Sequence, residues 1–225
     1  MLEHGCIPHE PAHVGLFNPY GRGINLKTRS HGNPLYRPKT IVRLRGKVRS
    51  NSWRPPAELI DVNSWVTVAA VSIDGTEAHL AIHPVTRALI GFDDLTSGWL
   101  LDVALSGWDE LDGVRVAFVL QEHDPYSVVV FPGARNPHTG MVKPEILAHI
   151  KQLDSYAEIT SFPTGIAVFV KARLPRLLML SPDVILIGWN DYIPITGDRL
   201  ADTPESINER QEQIDRLIEQ VVWES

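Results

Sequence analysis

Apolar residues in this chain gather in short runs rich in β-branched side chains, and these runs limit the fold more than any other feature. Residues 64–73 (SWVTVAAVSI), 114–120 (VRVAFVL), 126–131 (YSVVVF), 165–171 (GIAVFVK) and 184–187 (VILI) each predict a strand. None approaches the roughly 20 apolar residues that span a bilayer. Asp74-Gly75 predicts a turn after the first run. Helical patterns lie among the strands. Residues 93–106 place Leu95, Trp99, Leu100, Val103 and Ala104 at helical spacing. Residues 144–153 open on Pro144 and turn Ile146, Leu147 and Ile150 inward. Thr203-Pro204-Glu205-Ser206 predicts the start of a last helix. There Ser206 and Glu209 fit a capping box, and Ile207, Ile214, Leu217, Ile218, Val221 and Val222 form one apolar stripe. Strands and helices interleave without a strict βαβ repeat, which predicts an α+β fold with a mixed sheet or sheets flanked by helices.

Charge divides the chain in two. Between Pro11 and Ala57 there is no Asp or Glu, and ten of the 21 Lys and Arg residues lie between Arg22 and Arg54. The remainder carries 11 basic and 27 acidic residues. A basic arm joined to an acidic body suggests a polyanion or an acidic protein surface as the partner of the arm. Residues 1–38 are rich in Gly, Pro, Asn and His without a clear period, so residues 1–50 are expected to form a basic, largely irregular arm and residues 51–225 the domain. Within the arm, residues 40–49 alternate. On a strand, Arg43, Arg45, Lys47 and Arg49 face one way, and Val42, Leu44 and Val48 the other. Such a ribbon suits contact with nucleic acid or with a partner, or an edge strand protected by charge. One cysteine, Cys6, excludes an internal disulfide framework, and the first residues lack an apolar core of the secretory type. A cytoplasmic location and no membrane association are expected.

Landmarks from Pro56 to Val222 fall in a familiar order. They are Pro56-Ala57-Glu58-Leu59 with Ser64-Trp65-Val66, then His83-Pro84-Val85-Thr86, then residues 119–126 (VLQEHDPY). Residues 135–140 (RNPHTG), residues 154–160 (DSYAEIT) with Thr164-Gly165, Leu174-Pro175, Ile195-Thr196-Gly197 and Arg210-Gln211-Glu212 follow. In this order and spacing the chain resembles the N-terminal primase-polymerase domain of phage and plasmid replication proteins, within the archaeo-eukaryotic primase superfamily. The resemblance covers about three quarters of the chain. It implies metal-assisted nucleotidyl transfer, with two carboxylates two residues apart on a strand, a third acidic residue, and a histidine on a neighbouring strand for the incoming phosphate. Carried over, the carboxylate pair falls on Val130 and Pro132, the histidine on Ala167 and the third carboxylate on Ile185. None of these side chains offers a ligand to a hard cation, and residues 127–134 hold no other D-x-D pair. The resemblance therefore implies a primase-polymerase-like protein without catalysis or cofactor. Such a chain would act as a nucleic-acid-binding or accessory subunit in DNA replication, with a helicase or an active primase supplied in trans.

Other residues keep alternatives open. Glu122 and Asp124 lie two apart and suit a relocated Mg²⁺ or Mn²⁺ site of a divergent nucleotidyl transferase, while Asp124-Pro125 also reads as a plain turn. The arm could equally serve assembly, through self-association. Lys171, Arg173 and Arg176 border the family's nucleotide path and are candidates for phosphate contact beside an ordinary charged loop. Trp189, next to Asn190 and Asp191, is the better candidate for stacking on a base, whereas Trp65 belongs in the core. His79 and His83 share a strand face; a polar surface position is the plainer reading, and a phosphate contact at His79 the sharper one. His4, Cys6, His9 and His13 are the right types for zinc, but their spacing matches no zinc motif.

Overall fold

A computed structural model describes residues 53–73, 76–86, 88–90, 98–106, 114–174 and 177–223. The expected arm, including Arg43, Arg45, Lys47, Arg49, His4, Cys6, His9 and His13, lies outside the described residues, as do Arg176 and the Asp74-Gly75 turn.

The fold is α+β. The elements in chain order are α1 (Ala57–Ile60), β1 (Trp65–Ile73), β2 (Thr76–Ile82), α2 (Leu101–Leu105), β3 (Val114–Leu120), β4 (Tyr126–Phe131), α3 (Pro144–Leu153), β5 (Ala157–Ile159), β6 (Ile166–Lys171), β7 (Leu177–Ser181), β8 (Val184–Ile187), β9 (Asp191–Pro194) and α4 (Gln211–Trp223). Two sheets form, in the orders β2-β1-β3-β9 and β5-β6-β4-β8-β7. Every pairing between these strands is antiparallel, so the expected mixed sheet is instead two antiparallel ones.

Alternation along the strands sorts the apolar side chains into layers. Val116, Phe118 and Leu120 of β3 and Ile193 of β9 meet Val128 and Val130 of β4, Ala167 and Phe169 of β6, and Ile185 and Ile187 of β8 in one buried cluster that joins the two sheets. Trp65 of β1 is fully buried in that cluster, as its sequence setting predicts. The opposite parity of the second sheet, including Val129, Phe131, Val168, Val170 and Leu186, packs against Ile146, Ile150 and Leu153 of α3 and Ile214 and Leu217 of α4. The outer face of the first sheet carries a smaller cluster of Val66, Val68, Ala81, Ala117, Val119 and Tyr192.

Two helices are shorter than their patterns predict, and tertiary hydrogen bonds explain both. Trp99 is not helical: its N–H donates to the Trp65 carbonyl at 2.7 Å and its carbonyl accepts from Trp65 N–H at 2.9 Å. A Cβ on Gly98 would lie 2.4 Å from the Ser64 carbonyl carbon, so this close passage requires glycine. α2 therefore starts only at Leu101. The last helix starts at Gln211 instead of near Ser206. Residues 206–210 run alongside the end of β6, where Lys171 N–H donates to Asn208 O at 2.8 Å and Arg210 N–H to Lys171 O at 3.0 Å. Arg210 adds bonds to Leu153 O at 2.7 Å and to the Asp154 carboxylate at 2.8 Å. Ile207 drops into the inter-sheet cluster instead of joining the stripe on α4. Ser206 bonds only Asn208 through its hydroxyl, at 2.9 Å, and caps nothing. Ser206→Ala should thus cost under about 0.5 kcal/mol in urea unfolding, the range of an ordinary surface change, where a working cap would cost about 1.

Candidate functional site

The three paired β-strands β6, β4 and β8 bring together the positions that the resemblance assigns to catalysis. Val130 stands opposite Ala167 on β6 and opposite Ile185 on β8. Glu158 on β5 stands opposite Ala167, and Met179 on β7 opposite Ile185, so five strands share one row. Val130 is 1% exposed, Ala167 1% and Ile185 5%, all within the cluster between the sheets. Pro132, just past β4, is buried as well. Apolar packing fills this row, and its Val, Ala and Ile side chains offer no ligand to a divalent cation. A carboxylate placed here would be buried without a partner. Val130→Asp should destabilise the protein by at least about 3 kcal/mol at neutral pH in urea unfolding, combining lost apolar burial with an unpaired polar group.

Glu158 is the one carboxylate of that row, and sequence reasoning gave it no role. It is fully buried. Thr196 N–H donates to its Oε1 at 2.9 Å, and Gly197 N–H and the Tyr156 hydroxyl donate to its Oε2, each at 3.0 Å. Gly197 has φ +66°, and a Cβ there would meet Arg54 N at 2.9 Å. Glu158 thereby ties the edge of one sheet to the loop that leaves β9 in the other. Burial raises its pKa from 4.5 to about 7, against the lowering effect of the three donors. A folded pKa above the unfolded one means that the native state holds the extra proton between these values. This contribution to stability is complete below pH 4.5 and is lost as pH rises through 7. The loss is on the order of 3 kcal/mol. Urea midpoints between pH 4.5 and 7.5 should fall for the wild type, and Glu158→Gln should flatten that slope.

Other candidates gather at the opposite end of β4, roughly 13 Å along the strand from Val130. Three connections meet there: residues 121–125 between β3 and β4, residues 172–174 after β6, and residues 188–190 between β8 and β9. Ala172 N–H donates to Pro125 O at 2.9 Å, Asn190 N–H to Leu120 O at 2.8 Å, and the Ser127 hydroxyl to Ala172 O at 2.8 Å. They enclose a half-open cleft of about 200 Å³ lined by Gln121, Glu122, Asp124, Tyr126, Arg173 and Trp189, with Ser127, Ala172, Leu174 and Gly188 completing the wall. Asp124 has an 11% exposed side chain. Its Oδ2 accepts from the Ser64 hydroxyl at 3.5 Å, its Oδ1 lies 3.6 Å from His123, and burial raises its pKa. The cleft thus unites three separate sequence candidates: the Glu122 and Asp124 pair, Arg173, and Trp189. Lys171 closes β6, with its backbone engaged by residues 208–210, and does not line the cleft.

Among the described residues no three His, Cys, Asp or Glu side chains come together in a way that could hold a metal ion. His79 is not at the surface: it is fully buried against Phe162, with ring centroids 5.7 Å apart. Burial and then the Arg115 charge lower its pKa to about 4, so it is neutral at physiological pH and has no access to a phosphate. His83 Nδ1 accepts from Val85 and Thr86 N–H at 3.1 and 3.2 Å and shapes the turn after β2. No described helix is long and apolar enough to cross a membrane. No family model matches the chain, and no curated protein matches it.

Proposed function

We propose that this chain is a primase-polymerase-like protein without catalytic activity, serving as a nucleic-acid-binding or accessory subunit in DNA replication of the phage or plasmid type. One observation carries the reading. Val130, Ala167 and Ile185 were placed by separate landmarks, in segments far apart in sequence, yet they fall side by side on neighbouring strands. A constellation of that kind is what a strand-borne metal and phosphate site requires, and here its members are apolar and buried. A scaffold of this sort can keep a binding role after its chemistry is gone, because fold and reaction are separable. The binding element on this reading is the basic segment Arg43, Arg45, Lys47 and Arg49. The polymerising or unwinding activity comes from a helicase or an active primase in trans.

Fluorescence anisotropy with labelled single-stranded DNA, duplex DNA and RNA over a salt series tests this. The full chain should bind with a steep salt dependence. Replacing Arg43, Arg45, Lys47 and Arg49 together by alanine should weaken binding on all sequences alike and lower the logarithmic salt slope by about 4, one unit for each phosphate no longer neutralised. Primer extension with Mg²⁺ or Mn²⁺ should give no nucleotide incorporation. Failure of the full chain to bind any of the three nucleic acids at moderate salt overturns the reading, and incorporation overturns its non-catalytic half.

A further inference from the structure

The cleft at the start of β4 has the wrong charge for a phosphate chain and the right chemistry for a cation. Residues 58–225 hold 11 basic and 25 acidic side chains, a net charge of −14, whereas the cations of residues 22–54 stand in a stretch free of acids. A cleft in so acidic a body repels a polyanion and attracts a basic segment. Its polar wall points the same way. Gln121 Nε2 donates to Ser64 Oγ at 2.7 Å and Ser64 Oγ donates to Asp124 Oδ2, which leaves Gln121 Oε1 and the exposed Glu122 carboxylate as acceptors beside the cleft, with Asp124 Oδ1 3.6 Å from His123. Tyr126 reports the same field. Its phenol pKa is raised first by burial and then by the charges of Glu58 and Asp124. Trp189 and Tyr126 add aromatic rings to the lining, which a cation can stack upon. Among the described lining residues Arg173 is the one cation. Several acceptors beside aromatic rings suit the planar five-donor fork of a guanidinium.

The chain carries such groups within reach. Ring centroids step from Trp53 to Trp65 in 6.3 Å, to Phe118 in 5.5 Å and to Tyr126 in 5.9 Å, so the cleft's Tyr126 lies within about 18 Å of Trp53. Eight residues of extended chain, the separation of Arg45 from Trp53, span roughly 26–29 Å.

We propose that the cleft docks this chain's own basic segment, residues 43–49, by taking an arginine side chain onto Glu122, Asp124 and the ring of Trp189. The inference rests on the reading of that segment as the nucleic-acid contact, and it adds a consequence: nucleic acid and the cleft compete for the same arginines. The test is trypsin cleavage of the full chain at low salt, with mass spectrometry timing the cuts after Arg43, Arg45, Lys47 and Arg49. Glu122→Gln with Asp124→Asn should speed those cuts about fivefold, and the difference should vanish near 0.5 M salt. Arg173→Glu, which adds a carboxylate at the rim, should slow them, an effect that misfolding does not mimic. Rates should not depend on protein concentration. Cleavage unchanged in both variants overturns the proposal, and protection that deepens with concentration overturns its assignment to the same chain. Anisotropy on single-stranded DNA separates this proposal from the reading beneath it. Faster cleavage with no nucleic-acid binding keeps the docking and sinks that reading; binding with unchanged cleavage does the reverse.

Discussion

The apolar seam between the two sheets is the constraint from which the rest of the structure follows. One cluster takes side chains from β1, β3 and β9 on one side and from β4, β6 and β8 on the other. Interiors are packed to crystal-like density, so such a seam has no room for a solvated ion or a nucleotide. Polar function is thereby displaced to the ends of the strands. The exception within the seam's own row is Glu158, and its carboxylate is consumed by two backbone N–H groups and the Tyr156 hydroxyl. A buried group bound in this way ties the edge of one sheet to the loop leaving the other and is closed off from any ligand in solvent.

The strand ends supply what the seam excludes. In an antiparallel layout the β3–β4 connection and the exits of β6 and β8 fall at one end, and backbone bonds among Pro125, Ala172, Leu120 and Asn190 hold them together. Half-enclosure sharpens the electrostatics of that end. Asp124 sits where burial already disfavours its charge, so a cation arriving beside it meets an interaction less screened than on an open surface. An acidic body next to a long acid-free stretch is an arrangement in which the two parts attract one another unless a stronger polyanion intervenes.

Much of this fold was legible in the chain, and its illegible parts share a cause. The runs that became β1, β3, β4, β6 and β8 are continuous and β-branched, and α3 announces itself by Pro144 and its inward Ile146 and Ile150. The three-residue β5 and the four-residue β9 carry too little pattern to register alone, and β7 pairs only along β8. The capping box at Ser206 and the helical spacing around Trp99 were sound local signals. Each lost to long-range backbone bonds, with Lys171 and with Trp65. His79 was misread and Glu158 missed for one reason: a polar residue's burial depends on partners far away in sequence. The cleft was legible as separate residues but not as a site, because three distant connections build it.

On the proposed reading, the apolar residues of the central row make energetic sense together. Two or three carboxylates facing one another without a metal raise each other's pKa and resist burial, so a strand row that has lost its cation gains stability by becoming apolar. Val130, Ala167 and Ile185 pack together between the two sheets, and the closed seam penalises any single carboxylate introduced there. One carboxylate placed in the row would be a buried charge with no partner, and a full set would open the core. On the proposed reading, the loss of catalysis and the compactness of the inter-sheet core are therefore one event seen from two sides. On that reading, binding lies outside the seam, on the basic segment and at the cleft on the rim.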